Sequence, residues 1–303
     1  MVKTWKPNKE SSKILLAAQR VLNEYQYPIT FKQLYYRLVT EEAIDNSLAS
    51  YRKLNSLITN ARKNGRLAPS LFIPNFVEDN QDEEDTTRLE NYLDRVVNEY
   101  HIDRMTNQKN YVEVWVGNEE MYGFMSTLLA KFDVPVYVFQ GYSSYQFTYQ
   151  AYRRMSAAVQ RGQVPRILYF SDLSVSSMNI FESVLNEMAS MFEMSYTEIS
   201  SIIFSVGVLP DHVVKYDLVT APDAPSDSRV KLFDEKYGDI LESIGLPRNI
   251  KVELESVDPK WLRALLYNAV FSILDYNVMR EVEKKEQEDR ERLRAILSRK
   301  SRS

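Results

Sequence analysis

The sequence predicts an α/β protein with a small helical unit at its N-terminus. Apolar residues recur at helical spacing as far as Asn64, and after residue 110 segments rich in Val, Ile and Tyr alternate with amphipathic ones. Charge divides along the same line. Positions 1–70 hold 12 Lys/Arg against 5 Asp/Glu, so with a net charge of -4 the remainder carries -11. A basic head on an acidic body suits a phosphate-bearing partner at the N-terminus. The absence of cysteine excludes disulfides, thiolate zinc sites and a cysteine nucleophile. No apolar run approaches the roughly 18 residues that span a bilayer, and the first 20 residues lack a leader pattern. The expectation is a cytoplasmic protein with no membrane partner.

From Ser11 to Tyr25, the residues Ile14, Leu15, Ala18, Val21, Leu22 and Tyr25 form one apolar helical stripe, and Pro28 ends it. Thr30 and Gln33 have capping-box spacing, with Ile29 and Leu34 placed as a hydrophobic staple, so a second helix is predicted from Phe31 to about Val39. A third, from about Leu48 to Asn64, puts Leu54, Leu57, Ile58 and Ala61 on one side and Arg52, Asn55, Ser56, Thr59, Arg62 and Lys63 largely on the other. Between residues 47 and 66 lie Arg52, Lys53, Arg62, Lys63 and Arg66 with no acid. A charge run by itself is most simply a solvated helix face. As the last of three short helices it suits a helix-turn-helix, of winged-helix type over residues 1–77, that meets double-stranded DNA through Arg52, Lys53, Asn55, Ser56, Thr59, Arg62, Lys63 and Arg66.

Residues 78–85 carry six acids in eight positions and open a linker (78–110) that includes a helix from Thr87 to about Tyr100. Over 111–279, strands are expected at Tyr111–Val116, Val134–Phe139, Arg166–Asp172, Ser201–Val208 and Lys251–Val257. Helices are expected at about Glu119–Phe132, Ser144–Arg161 and Ser176–Phe192, with one more after Pro259. Such alternation implies a mostly parallel sheet with helices on both faces and ligands at the carboxyl ends of its strands. Residues 280–303, with 9 basic and 6 acidic side chains, read as a solvent-exposed charged helix or tail. His101 and His212 are far apart, and the 8 glycines form no phosphate-cradling loop.

An ordered set of short motifs adds a resemblance. Phe31-Lys-Gln-Leu-Tyr-Tyr-Arg-Leu38, Tyr111-Val-Glu-Val-Trp-Val116, Gly141-Tyr-Ser-Ser144, Ile167-Leu-Tyr-Phe-Ser-Asp172, Asp227-Ser-Arg229 and Val252-Glu-Leu-Glu255 occur in sequence. Over residues 12–276 the chain thereby resembles the bacterial and phage proteins related to the A subunit of DNA topoisomerase VI and the meiotic double-strand-break protein. The resemblance implies a winged-helix domain followed by a Toprim-like, Rossmann-type domain. It also implies that Tyr36 matches the tyrosine that attacks DNA in active relatives, with Mg²⁺ held by Toprim acids. Packing is the commoner role for one of 20 tyrosines.

The chain departs from that pattern where the metal binds. Gly117-Asn118 stand where the family has Glu-Lys, and Asp172-Leu-Ser174 where it has Asp-x-Asp. Asp172 remains, with Glu119 and Glu255 as residual metal candidates and Glu120 close by. The expectation is therefore a DNA-binding pseudoenzyme without a cofactor, unless these acids hold Mg²⁺ or Mn²⁺. Two alternatives stay open: a divergent metal-dependent DNA-cleaving or relaxing enzyme that uses Tyr36, and a scaffold for a protein partner in a replication, defence or phage-derived complex. Homodimerisation follows from the resemblance alone.

Overall fold

A computed structural model describes residues 5–73, 89–139, 145–222 and 229–300. The acidic run 78–85, Gly141–Ser144 and the first two residues of Asp227-Ser-Arg229 lie outside them.

Three helices begin the chain: α1 (Lys9–Asn23), α2 (Phe31–Thr40) and α3 (Leu48–Lys63). The capping box that starts α2 is formed: Gln33 N–H donates to the Thr30 hydroxyl at 3.0 Å, and Thr30 N–H donates to the Gln33 side chain at 2.9 Å. Asn8 and Ser47 cap α1 and α3 in the same sense. Leu54, Leu57, Ile58 and Ala61 are buried on the inner side of α3, as the spacing predicts. Among the described residues this unit contains no β-hairpin. Its one strand-like contact is a parallel bridge between Ile29 and Phe72.

Helix α4 (Leu89–Glu99) leads to the α/β body, whose elements run β1 (Asn110–Val116), α5 (Glu119–Leu129), β2 (Val136–Val138), α6 (Tyr145–Gln160), β3 (Val164–Phe170), α7 (Val175–Phe192), α8 (Tyr196–Ser200), β4 (Ile203–Gly207), α9 (Pro210–Lys215), β5 (Ala221–Pro222), α10 (Arg229–Phe233), α11 (Asp239–Ser243), β6 (Ile250–Lys251), α12 (Pro259–Phe271) and α13 (Tyr276–Lys300). The main sheet is entirely parallel in the order β2-β1-β3-β4. From β1 the connections run to β2 on one side and on through β3 to β4 on the other, so the ends of β1 and β3 flank the switch point where such folds open a crevice.

Side chains alternate across this sheet, as strand geometry requires. Val114, Val116, Leu168 and Phe170 join α5, α12 and the N-terminal helices in one continuous apolar core. Trp115, Ile167 and Tyr169 face α6 and α7 in a second. Inside the latter, Glu113 is completely buried and accepts from the Tyr111 hydroxyl (2.6 Å), the Trp115 indole (2.8 Å) and Arg154 Nε (2.7 Å).

Two expectations need correction. Lys251–Val257 is not a strand of the main sheet: β6 pairs antiparallel with β5, Val252 bridges back to Leu173, and residues 254–256 form a 3₁₀ turn. Backbone bonding to the end of β3 overrides the alternating pattern there. The C-terminal helix is not a free tail either. It packs on α4 and buries Met279, Val282 and Glu286, whose carboxylate accepts from Arg104 (2.6 Å) and from Ile102 N–H (2.8 Å). No helix among the described residues is long and apolar enough to cross a membrane.

Candidate functional site

At the switch point β1 gives way to Gly117 and Asn118, and β3 to Ser171 and Asp172. A side chain on Gly117 would start 3.2 Å from Ser171 Cβ, a tight contact that would require Ser171 to shift by a few tenths of an ångström. Asn118 caps α5, accepting from Met121 N–H at 2.9 Å, while its amide donates to Glu255 at 3.0 Å. Ser174 likewise caps α7, accepting from Ser177 N–H at 3.1 Å. Gly117 thus permits close packing on Ser171, and Asn118 and Ser174 serve helix capping.

Asp172 holds backbone rather than facing solvent: it accepts from Leu254 N–H at 2.9 Å, beside the paired N–H···O contacts between Leu173 and Val252. That bond brings the turn carrying Glu253 and Glu255 over the strand ends. Helix α2 meets it from the N-terminal side. Lys32 Nζ lies 2.7 Å from Glu253 and 3.4 Å from Glu255, Arg37 lies 3.1 Å from Asp258, and the Tyr36 phenol is close enough to Glu253 to feel its charge. Lys251 adds a second ammonium 3.0 Å from Glu253.

These contacts set the proton affinities. Burial pushes the Glu255 carboxyl up to about 7, with Lys32 opposing and Asp172 adding to the rise; one of its oxygens, Oε2, is buried without a hydrogen-bond partner. Burial also acts to raise Glu253, but Lys32 and Lys251 outweigh it and hold that carboxyl at about 2. Asp172 is raised, chiefly by burial. For the Tyr36 phenol, burial, Glu253, Glu255 and Tyr35 all act upward, opposite to what a tyrosine nucleophile needs near neutral pH.

The residues present do not fit a hard divalent cation. Mg²⁺ needs converging oxygens and retains several waters. Here an ammonium stands between two of the carboxylates, and the cavity beside Asp172, Ser174 and Ser177 measures about 20 Å³, room for about one water. Asp172 and Glu255 are neighbours, but Glu119 points elsewhere: it lines a groove of about 380 Å³ with Phe31, Tyr51, Asn55, Thr59 and Arg62. No cluster of three or more His, Asp or Glu side chains able to hold a metal occurs among the described residues.

A pH dependence follows from Glu255. An unfolded glutamate ionises near its ordinary 4.5, whereas folded Glu255 keeps its proton to about 7, so between those values the folded state holds more protons and loses stability as pH rises. Glu253 acts in a separate window, its stabilisation being lost as pH falls from 4.5 toward 2. Urea titrations should show wild type losing on the order of 2 kcal/mol more than Glu255→Gln between pH 4.5 and 7. Parallel curves for the two proteins would refute the assignment.

The basic residues of α3 are placed differently. Arg52, Lys53, Asn55, Ser56, Thr59, Arg62, Lys63 and Arg66 are all exposed. Lys53 pairs with Glu10 at 2.7 Å, Arg62 lies over the Phe72 ring at 5.3 Å and Arg66 over Trp5 at 5.6 Å. Arg52 and Lys63 have no ion-pair partner among the described residues. Sequence reasoning missed Lys32, Glu253 and Asn118. The available signal was the alternation Lys251-Val-Glu-Leu-Glu255, two acids at period two flanked by apolar residues that had to be buried. Comparison with models of protein families, with curated proteins and with solved structures returned no match.

Proposed function

We propose that this protein binds double-stranded DNA through α3 and does not cleave it. The observation that carries the reading is the outer face of α3, where Arg52, Asn55, Ser56, Thr59, Arg62 and Lys63 are exposed together on a helix with no acid. Such a face offers cations to phosphates and short polar side chains to groove edges. In this reading the three N-terminal helices are a winged-helix-type module, and the α/β body is a Toprim-like domain in which the Lys32 ammonium has replaced the metal as the counter-charge to Glu253 and Glu255. Tyr36 then packs beside Glu253 between the two units rather than acting as a nucleophile.

Duplex affinity should fall steeply with salt, because each neutralised phosphate releases counterions. Replacing Arg52, Arg62 and Lys63 together with glutamine should lower the slope of log affinity against log salt by about three and weaken binding uniformly across duplex sequences. Anisotropy titrations at several salt concentrations measure both; an unchanged slope removes α3 from the interface. In parallel, supercoiled plasmid incubated with Mg²⁺ or Mn²⁺ should keep its topology. Relaxation or cleavage that disappears in both Tyr36→Phe and Asp172→Ala would establish the enzymatic alternative instead.

A further inference from the structure

Helix α6 carries a second surface that the α3 reading does not use. Its inner side is fixed by Thr148, Ala151, Met155 and Ala158, all buried. Its outer side presents Tyr145, Tyr149 and Arg153 at intervals of four residues, hence on one face. The two tyrosines are 65% and 40% exposed, unusually open for rings of that size. They stack on one another, with planes 13° from parallel and centroids 6.0 Å apart. Arg153 is exposed one turn further on and has no ion-pair partner among the described residues.

The stretch of sequence that carries this face holds no acid, as α3 holds none. From Val134 to Ser171 the chain contains no Asp or Glu and four arginines, within a protein of 42 acids. Arg154 turns inward to the buried Glu113, which leaves Arg153 as the outward cation beside the tyrosine stack. Few exposed aliphatic side chains accompany the rings: Val159 stands near the far end of the helix, and Gln146 and Gln150 flank the tyrosines. The centre of a protein–protein interface is mostly apolar, whereas this face offers only the two rings and the distant Val159. Exposed aromatic rings beside a lone cation, on a helix without acids, are instead the components of a platform for unpaired bases. There each ring stacks on a base and the arginine meets the phosphate chain. Duplex bases do not suit it, because their faces are already covered by neighbouring pairs.

We propose that the outer face of α6 binds single-stranded nucleic acid, with Tyr145 and Tyr149 stacking on unpaired bases and Arg153 contacting the backbone. This site is independent of the α3 surface and stands whether or not α3 binds duplex. The test is an anisotropy titration of the full chain against a labelled oligothymidylate and against a duplex of equal length. Wild type should bind the oligothymidylate, and Tyr145→Ala/Tyr149→Ala should weaken that binding about tenfold or more while leaving duplex affinity unchanged. Tyr145→Phe/Tyr149→Phe should restore most of it, since stacking needs the ring and not the hydroxyl. Arg153→Gln should lower the salt slope for the oligothymidylate by about 0.7. All three substitutions lie on exposed positions, and an unchanged thermal transition confirms folding. The proposal is overturned if wild type fails to bind the oligothymidylate at low salt, if the alanine pair binds like wild type, or if the phenylalanine pair binds no better than the alanine pair.

Discussion

Replacing Lys32 with methionine lowers the unfolding free energy by about 3 kcal/mol at pH 8, and by clearly less at pH 5. The ammonium is the nearest positive charge to the buried Glu255 and one of two beside Glu253, while the methionine keeps most of the stem's packing. Without it the nearly inaccessible Glu255 carboxyl is raised further, so above neutrality it must either hold a proton or carry an unpaired charge. Removing one member of such a pair costs more than the pair itself contributes, because the other is left desolvated. Below about 7 Glu255 is protonated in the wild type as well, so the difference between the two proteins shrinks, which gives the effect its pH signature. Equilibrium urea unfolding at both pH values measures it. The double variant Lys32→Met/Glu255→Gln should recover much of the loss at pH 8, and a double variant no more stable than the single would show that the charge pair is not the cause.

Glu113→Ala is the more damaging substitution, with an expected cost of about 4 kcal/mol. It removes the acceptor shared by Tyr111, Trp115 and both Arg154 Nε (2.7 Å) and its terminal nitrogen (3.0 Å) in a place that water does not reach. Arg154, whose carbon Cζ sits 3.8 Å above the Tyr137 ring, would then be a partly buried cation on an aromatic ring without its carboxylate. Since that arginine belongs to α6, the variant should also loosen the helix that carries Tyr145 and Tyr149, seen as faster amide exchange in α6 than in α7. Glu113→Gln keeps an acceptor and should cost less. Equal losses for the two substitutions would assign the effect to volume rather than to the hydrogen-bond network.

Local chemistry made much of the architecture legible. The Thr30/Gln33 capping box, the Leu54-Leu57-Ile58-Ala61 stripe and the Val-rich segments ending at Val116 and Phe170 all encode their structure within a few residues of themselves. Hydrophobic period and capping need no distant partner. The exposure of the α3 cations was legible for the same reason, because an amphipathic helix that buries one side must expose the other. The stretch around Lys251–Val257 was not, since its backbone partners are Leu173 and Asp172, about 80 positions away, and their bonding replaces a sheet strand with a turn. The C-terminal helix was hidden likewise: Glu286 reads as one more solvated acid until Arg104 comes to meet it.

By itself, then, the sequence determined the parallel α/β class, the strands of the main sheet and the basic outer face of α3. Only the tertiary structure decided what meets the acids at the switch point. Lys32 and Glu255 are more than 220 residues apart, and nothing in either's neighbourhood specifies that an ammonium on α2 will neutralise acids at the end of a strand. Charge pairing acts through space, falls off within a few ångströms and depends on how much water the fold excludes. Residue identity fixes which groups can ionise. Burial and distance fix which of them do, and here they turn the acids at the switch point into partners of a lysine.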